Sequence, residues 1–276
     1  MIEPRRKWLG VERQCALLGI ARSGLWYEPV PASAEELGLK EVLDEEHLKA
    51  PMYGARKLVA VARRRGYAVG RQRLSRLMKE LGITAIMPHR SMRLSAGGKS
   101  RRYPYLLGGL TITQPNQAWA TDITYLRLAT GFVYLVALID LFSRYIVGWT
   151  LSTSLDAVFC VETLRQALEQ HGSPGIVNMD QGSQFTSEAY LEELERAGVR
   201  ISMDGKGRVF DNILIERFWR TVKYEEVYLK RYESVSEARE AVRRYIRFYN
   251  EERLHQTLAY RTPAEVYGAR VTQVAA

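Results

Sequence analysis

The first third of the chain carries apolar residues at helical spacing. Two sets follow the i, i+3, i+4, i+7 pattern of an amphipathic helix: Ala55, Leu58, Val59 and Ala62, then Leu74, Leu77, Met78 and Leu81. A short turn starting at Gly66 separates the sets, so the pair predicts a helix-turn-helix. A further helix is predicted over 34–49, and two short ones over 11–20 and 21–28.

The pattern changes to strands from Gln114 onward. Strands are predicted over 118–128, 132–142, 144–152, 175–180 and 199–203. "ATG" joins the first two strands as a hairpin. Helices are predicted over 154–171, 188–197, 212–229 and 236–250, with Ser187 and Ser236 at the starts of the second and fourth. A last helical turn follows Thr262-Pro263. Three strands in a meander followed by alternating helices and strands predict a mixed-sheet α/β domain.

These patterns divide the chain into four regions. The predicted regions are an N-terminal helical element over 1–33, a helix-turn-helix domain over 34–87, a linker over 88–113 and an α/β domain over 114–276. The linker is assigned because its sequence is rich in glycine, serine and arginine.

The charge of the chain is concentrated in one stretch. The net charge is +9, and residues 51–102 hold 14 basic residues and one acidic residue. Such a block is the expected footprint of a nucleic-acid-binding module. In the second helix of the helix-turn-helix the outward positions able to reach DNA are Arg71, Gln72, Arg73, Arg76 and Lys79. The alternative is an ordinary two-helix packing unit with a solvated basic face.

Other features exclude several classes of protein. The only cysteines, Cys15 and Cys160, lie far apart without the spacing of a metal site or a disulfide framework. No run approaches the roughly 20 apolar residues that a membrane span needs. The opening residues do not resemble a signal peptide. The simplest interpretation is a protein of a reducing, cytoplasmic compartment that does not contact membranes.

Three acids stand out by position. Asp122 lies inside the first strand, and Asp180 ends the fourth strand. Glu216 lies among apolar neighbours in the helix after the fifth strand, so it is not expected on a freely solvated face. Asp180 could simply cap a turn, since "DQGS" has turn composition. Together the three suggest a carboxylate cluster, which needs a compensating cation such as Mg²⁺ or Mn²⁺. Gly182 and Ser183 would leave room for a metal and a substrate. Two such ions, about 3.5–4 Å apart, can activate a hydroxyl and stabilise the leaving oxygen of a phosphodiester.

The spacing and surroundings of these acids resemble a known family. Thirty-five residues separate Asp180 from Glu216. With "WATDITYL", "DQGSQFTS", "DNILIERFWRTVKYEE" and "YNEERLHQTLAYRTPAEVY", the pattern resembles transposases of the insertion-sequence-three family, second-reading-frame product. These are DDE-class enzymes with a retroviral integrase-type catalytic core. "YGARKLVAVARRRGYAVGRQRLSRLMKELGI" resembles the helix-turn-helix of that family. The resemblance runs from about residue 10 to residue 267.

The resemblance implies a fold and an activity. The fold is an RNase H-like mixed five-stranded sheet with flanking helices, preceded by an all-α helix-turn-helix region. The activity is cutting of transposon ends and joining of the freed 3′-hydroxyl to another DNA strand, with two Mg²⁺ or Mn²⁺ ions. Asp122, Asp180 and Glu216 match the catalytic, metal-binding acids.

Further residues match the family motifs outside the acids. Lys223, with Arg220 on the same helical face, matches the basic position that holds DNA near the scissile phosphate. For Lys223 the alternative is a salt bridge with Glu226. The tail motif contributes three residues that we interpret as supporting the site or contacting DNA: Asn250, Arg253 and His255.

The resemblance also implies partners. These are double-stranded DNA (the terminal inverted repeats and the target), a second copy of the chain on DNA, and a DNA-binding protein from an upstream reading frame. A bacterial, nucleoid-associated location is expected. Two departures from the family pattern are Asn178-Met179, where a His-Ser pair is usual, and Asp204 in the glycine-rich loop. The alternative functions are an RNase H-fold nuclease and a catalytically inactive regulator of its own element.

Overall fold

The structure of the protein, a computed structural model, describes residues 9–19, 21–22, 32–85, 103–203 and 213–268. The helices in these ranges are α1 Val11–Leu18, α2 Ala34–Lys49, α3 Ala55–Arg64, α4 Arg71–Glu80, α5 Val158–His171, α6 Glu188–Arg196, α7 Ile213–Glu225, α8 Val235–Glu251 and α9 Pro263–Gly268. The strands are β1 Trp119–Arg127, β2 Phe132–Asp140, β3 Ile146–Ser152, β4 Ile176–Met179 and β5 Arg200–Met203.

The helix-turn-helix is confirmed as α3, a turn and α4. Gly66 in the turn has φ +90°, a left-handed conformation that favours glycine. The predicted apolar faces bury Leu58, Leu74 and Leu77 completely or nearly so. Helix α2 closes this core, and its start is capped by Ser33, whose hydroxyl accepts a bond from the Glu36 amide at 3.2 Å. The prediction of a helix over 21–28 lies mostly outside the described residues.

The five strands form one mixed sheet in the order β3-β2-β1-β4-β5. Strands β1, β2 and β3 are an antiparallel meander, and β4 and β5 add to β1 in parallel. Helix α5 connects β3 to β4 across the sheet, and the crossover helix α6 connects the parallel neighbours β4 and β5. The mixed-sheet prediction is confirmed, and the topology is RNase H-like.

Alternation along β1 assigns its two faces. Ala120 and Leu126 face a core formed with α7 and α8, whereas Trp119 faces a second core formed with α5 and α6. Side chains alternate across a strand, so Asp122 points to the α7 side together with Ala120. The sheet therefore presents Asp122 to the helix that carries Glu216.

The starts of three predicted helices differ in how well their capping residues agree with the prediction: α6 begins at Glu188 as predicted, whereas α8 begins earlier than predicted. The Ser187 hydroxyl donates to the Gln184 carbonyl at 2.8 Å and makes no cap bond, although the residue holds the N-cap position of α6. Helix α8 is capped by Ser234, two residues before the predicted Ser236. The helical turn at Pro263 is confirmed, with reciprocal bonds between Thr262 and Glu265.

Two further helices are shorter than predicted. Helix α5 begins at Val158 because the residues before it form hydrogen-bonded bends, with the Ser154 hydroxyl donating to Asp156 at 2.6 Å. Helix α7 ends at Glu225 and is followed by a short 3₁₀ turn at Val227–Leu229.

No helix in the described part of the chain is both long and apolar enough to cross a bilayer.

Candidate active site

The strand register brings Asp122 and Asp180 together. The last residue pair between β1 and β4 is Ala120 with Asn178, and each acid lies two residues beyond that pair. Neighbouring parallel strands lie about 4.8 Å apart. Ala120 and Ile176 belong to the core on the α7 side, so the alternation carries both acids toward that face. Two acids far apart in sequence thus meet on one face of the sheet, at the end of β4.

The Asp122 carboxylate is held by hydrogen bonds on both oxygens. The Trp219 indole Nε1 donates to Oδ2 at 2.8 Å, and the Ile123 amide donates to Oδ1 at 2.8 Å. Burial and then the negative charge of Asp180 raise the pKa of Asp122 to about 7; Glu216 adds to the rise, and the two hydrogen bonds oppose it. An acid whose pKa is raised by two neighbouring acids belongs to a cluster of like charge.

Asp180 performs the turn role and lies in the cluster as well. Its Oδ1 accepts the Gly182 amide at 2.9 Å, which closes a local turn. A Cβ on residue 182 would lie 2.9 Å from that same Oδ1, so a glycine is required for the carboxylate to lie there. The two interpretations of "DQGS" are therefore compatible, because the turn fixes the acid at the end of β4.

The exposure of Glu216 differs from the sequence prediction. Its apolar neighbours suggested a side chain kept away from solvent, but Glu216 is exposed. The buried face of α7 consists of Ile215, Phe218, Trp219 and Val222. Glu216 lies one turn before Trp219, which bonds Asp122, and this proximity explains its electrostatic effect on Asp122.

The three acids are close without forming a closed metal cage. Among the described residues, no group of three or more His, Cys, Asp or Glu side chains lies in an arrangement that could hold a metal ion as it stands. The physical reason is visible at Asp122 and Glu216. Both oxygens of the Asp122 carboxylate accept hydrogen bonds, from Trp219 and from Ile123. The Glu216 side chain extends into solvent.

Lys223 extends over the same region from α7. Its Nζ lies 5.0 Å from the centre of the Tyr125 ring, a cation–π geometry. Burial lowers the pKa of Lys223, and the Asp122 charge opposes that change. The alternative salt bridge with Glu226 is not the arrangement found, because the Glu226 carboxylate accepts bonds from Lys230 and Tyr232. Arg220 is exposed, with its guanidinium 5.7 Å from the Tyr224 ring.

Asn250 and Arg253 of the tail motif are buried structural partners. Asn250 exchanges two hydrogen bonds with the backbone of Ile146, at 2.9 and 3.1 Å, and ties α8 to β3. Arg253 binds both carboxylate oxygens of Glu225, at 2.7 and 2.6 Å. Burial alone would raise the pKa of Glu225, but the Arg253 bonds lower it overall. Of the two roles predicted for these residues, the structure favours support over contact with DNA.

The Arg253–Glu225 pair also joins the two halves of the protein. Lys57 of α3 lies 3.9 Å from Glu225, and the Leu254 amide donates to the Tyr53 hydroxyl at 3.1 Å. Leu254 itself packs into the helix-turn-helix core. The tail motif is therefore the surface on which the helix-turn-helix domain lies.

His255 is held as a neutral ring. Burial, followed by the charges of Arg253 and Lys57, lowers its pKa to about 2. The ring lies edge-on to Tyr249 at 4.9 Å between centres, and Nε2 is 3.2 Å from the Arg253 guanidinium. A ring with so low a pKa does not exchange a proton near neutral pH.

The predicted DNA-facing side chains of α4 fall into two groups. Arg71, Gln72 and Lys79 are exposed. Arg73 and Arg76 are instead paired with Glu35 and Glu36 of α2, each at 3.2 Å. These are surface ion pairs, which contribute little to stability, so each arginine can exchange its glutamate for another anion.

The two departures from the family pattern have different outcomes. Asn178 is fully buried and accepts a bond from the Ser202 hydroxyl at 2.7 Å, joining β4 to β5. Met179 is a core residue of the α5–α6 side. Asp204 lies outside the described residues.

Three residues with clear contacts at these sites were missed by sequence reasoning. Trp219 orients Asp122, Tyr125 supports Lys223, and Glu225 pairs with Arg253. A signal existed only for Trp219, which lies three residues after Glu216 and so near it on the helix. Nothing local in the sequence marks the other two.

Comparison with known proteins gives three family matches. A family model described as an integrase core domain matches residues 112–209, and a second model with that description matches residues 197–263. A model described as an HTH-like domain matches residues 33–91.

Relatives are similar over most of the chain. The transposase for insertion sequence element IS904 of Lactococcus lactis subsp. lactis (strain IL1403) is 33% identical, with 82% of this chain and 93% of the relative covered. The transposase InsF for insertion sequence IS3A of Escherichia coli (strain K12) is 30% identical, with 92% of each covered. Among solved structures, the HTLV-2 integrase catalytic core domain in complex with magnesium is 16% identical. The match has a TM-score of 0.44 and covers 56% of this chain and 97% of that one.

Family membership follows from the domain models and the full-length relatives, in agreement with the sheet topology. This chain belongs to the insertion-sequence-three family of DNA transposases, with an HTH-like domain followed by an integrase core domain.

Proposed function

We propose that Asp122, Asp180 and Glu216 are the catalytic acids of this transposase and that they hold two divalent cations, Mg²⁺ or Mn²⁺. The observation that supports the assignment is the register of β1 and β4, which brings Asp122 beside Asp180, with Glu216 one turn before the Trp219 that bonds Asp122. Burial and then both other acids raise the pKa of Asp122, in agreement with this arrangement. A cation placed among the three would relieve the part of the rise that comes from repulsion between the acids.

The donor set fits such ions in its chemistry. Carboxylate oxygens are the ligands that Mg²⁺ and Mn²⁺ prefer. The exposed side chain of Glu216 is free of the core and can turn toward the other two acids. When bound, the metals would polarise the phosphodiester and promote ionisation of the attacking hydroxyl. The transposase would thereby cut transposon ends and join the freed 3′-hydroxyl to another strand.

The chain's own residues orient the acids and receive the DNA. Trp219 and the Ile123 amide fix the Asp122 carboxylate, and the turn at Gly182 fixes Asp180. Lys223, supported by Tyr125, places a positive charge beside Asp122. A lysine in this position can bind a DNA phosphate. Arg220, exposed one turn earlier on α7, can bind a second phosphate.

The helix-turn-helix would hold DNA through α4. Arg71, Gln72 and Lys79 are exposed and can reach bases or phosphates. Arg73 and Arg76 would exchange Glu35 and Glu36 for phosphates, because surface pairs are weak. The proposed domain boundaries (1–33, 34–87, 88–113 and 114–276) are supported by the HTH-like match over 33–91 and the integrase core match from 112.

The partners proposed are the terminal inverted repeats of the element, its target DNA and a second copy of the chain. A dimer follows from the reaction, since two ends must be joined. The upstream-frame protein stays a prediction of the resemblance.

The test uses the element's own flanking DNA as donor, in cells that express the chain. Junctions that join the two ends are detected by PCR for the wild type, for Asp180→Asn and for the control Asp44→Asn. The amide oxygen of the substituted side chain can still accept the Gly182 bond, so the turn is kept while the charge is lost. We expect junctions with the wild type and with Asp44→Asn, and none with Asp180→Asn.

A second readout does not depend on activity. Titration of Mn²⁺ into the purified chain, followed by calorimetry, should show binding that Asp180→Asn weakens and Asp44→Asn does not. Junctions at the wild-type level with Asp180→Asn would show that the acid assignment is wrong. Nicked donor DNA without junctions would support the nuclease alternative.

A further inference from the structure

Four aromatic residues form a surface beside the proposed active site. We call Phe132, Tyr125, Tyr228 and Tyr224 the aromatic band. Three of its members are unusually exposed for rings: 56% for Phe132, 53% for Tyr125 and 58% for Tyr228. Large exposed apolar surface of this kind commonly marks a binding site.

The band is continuous. The Phe132 and Tyr125 rings meet edge to face across β1 and β2, with centres 5.6 Å apart. Tyr224 and Tyr228 meet at the end of α7, with centres 5.3 Å apart. The two pairs are connected by Lys223, which precedes Tyr224 on α7 and whose Nζ lies 5.0 Å from the Tyr125 ring. Burial and then the proximity of Tyr224 and Tyr125 raise the pKa of Tyr228, in agreement with this connection. One surface therefore runs from the β1–β2 hairpin to α7.

Cations are interleaved with these rings. Lys223 lies over Tyr125 at 5.0 Å, and Arg220 lies 5.7 Å from Tyr224. The charge of Asp122 acts on Lys223, so this end of the band begins at the proposed active site. The two acids that follow Tyr224 in the sequence already accept hydrogen bonds within the chain: Glu225 from Arg253, and Glu226 from Lys230 and Tyr232. The band thus presents rings and positive charge.

We propose that the aromatic band binds unpaired nucleotides of a DNA strand next to the proposed active site. The bases stack on the Phe132 and Tyr228 rings, while Lys223 and Arg220 bind the flanking phosphates. This inference rests on the proposed function and adds a site and a ligand to it. Interleaved rings and cations are the surface that single-stranded nucleic acid recognises without regard to sequence.

The exposed rings favour a single strand over intact duplex. In a duplex the base faces are covered by neighbouring bases, so protein rings can reach them only where the strands have separated. An end that is being cut and joined at Asp122 would supply such separated nucleotides. A protein partner would also accept aromatic residues, but the positive charges beside Tyr125 and Tyr224 match a phosphate backbone better.

The test is fluorescence anisotropy with the full chain and two labelled DNA probes. One probe is a blunt duplex, and the other is the same duplex with a single-stranded thymidine tail. The variants are Phe132→Ala and Tyr228→Ala. The controls are Phe132→Tyr and Tyr228→Phe, which keep the ring, and Leu48→Ala, which removes a 79%-exposed apolar side chain from α2.

We expect the wild type to bind the tailed probe more tightly than the blunt probe. Each alanine variant should weaken binding to the tailed probe at least about fivefold and leave blunt-duplex binding unchanged, because one base–ring stack is lost. The ring-keeping variants and Leu48→Ala should behave as the wild type.

The outcomes separate this inference from the proposed function. Equal affinity of the wild type for both probes, or tailed-probe binding that survives both alanine variants, overturns the inference and leaves the acid assignment standing. Loss of self-association in analytical ultracentrifugation, with DNA binding kept, shows that the band is a protein interface and also overturns it. Failure of the wild type to bind either probe contradicts the proposed function itself.

Discussion

Helix α7 carries an acid in its first turn and another in its last, and the two have opposite environments. Glu216 is exposed and lies near Asp122, so like charges face each other. Glu225 is largely buried and receives two hydrogen bonds from Arg253, with Lys57 at 3.9 Å. One end of the helix gathers negative charge, whereas the other neutralises it.

The pKa of Asp122, which lies near Glu216, and the pKa of Glu225 shift in opposite directions. Burial and neighbouring acids raise the pKa of Asp122, whereas the Arg253 bonds outweigh burial and lower the pKa of Glu225. A charge neutralised within the chain stabilises a junction. A charge that lies beside like charges lowers the stability of the fold. Destabilised charges of this kind are typical of functional sites.

The largest expected effect is on catalysis. Asp122→Asn should lower strand joining about a thousandfold or more, because a metal-binding charge is lost. The asparagine side chain can still bond Trp219, so folding is kept. Joining of prepared transposon ends, measured on gels beside circular dichroism spectra, checks both. The matched control is Glu188→Gln, an exposed acid in the first turn of α6. Joining by Asp122→Asn near the wild-type rate would place the chemistry elsewhere.

The next effect is on stability at the other end of α7. Arg253→Met leaves Glu225 buried without its main partner and should lower the free energy of unfolding by about 3–5 kcal/mol. Denaturant titration measures this change. The double variant Arg253→Met/Glu225→Leu should recover most of the loss, because the buried carboxylate is removed together with its main partner and only the partly exposed Lys57 loses a neighbour. If the double variant were as unstable as the single one, packing rather than charge would account for the loss.

Stability is expected to depend on pH in opposite directions at Glu225 and at Asp122. For Glu225 the folded pKa is lowered, so its contribution is present above its unfolded pKa of about 4.3 and is lost as pH falls through the folded value. For Asp122 the folded pKa is raised to about 7, so its contribution is present below about pH 4 and is lost as pH rises toward 7. The Asp122 contribution corresponds to at most about 4 kcal/mol.

The check is the free energy of unfolding against pH in metal-free buffer. Glu225→Gln should flatten the decline on the acid side, and Asp122→Asn should flatten the decline between about pH 4 and 7. Added Mg²⁺ should reduce the second decline in the wild type. Curves of unchanged shape in either variant would contradict the corresponding pKa assignment.

The smallest effect belongs to a surface pair on the next helix. Arg247 lies 3.0 Å from Glu251 on α8, with both side chains exposed. Arg247→Gln should change the free energy of unfolding by only about 0.5 kcal/mol or less. The same denaturant titration measures it. A loss of unfolding free energy close to that of Arg253→Met would show that the exposed pair stabilises the fold as much as the buried pair does.

Much of the fold was predictable because its signals are local. The bounds of α2 match the predicted 34–49, and the helix-turn-helix and all five strands lie where the apolar periodicity placed them. Helix ends were less predictable. The choice between Ser234 and Ser236 as the cap of α8 depends on hydrogen-bond geometry that spacing alone does not specify.

The candidate site was predictable in composition but not in arrangement. Asp122, Asp180 and Glu216 were singled out because they occupy unusual positions in otherwise apolar elements. The exposure of Glu216 was not foreseen, because its apolar neighbours face away from it on the helix. The partners of Arg253 were not foreseen either, since Glu225 lies 28 residues earlier in sequence.

The sequence by itself determined the elements and the charge block, and it singled out three acids as candidates, because these depend on residue order and helical or strand period. Only the tertiary structure decided which acid is repelled and which is neutralised. Pairing of Ala120 with Asn178 brings Asp122 to Asp180, and packing of Leu254 into the helix-turn-helix core brings Lys57 to Glu225. Charge interactions depend on distance and burial, and both are set by long-range packing.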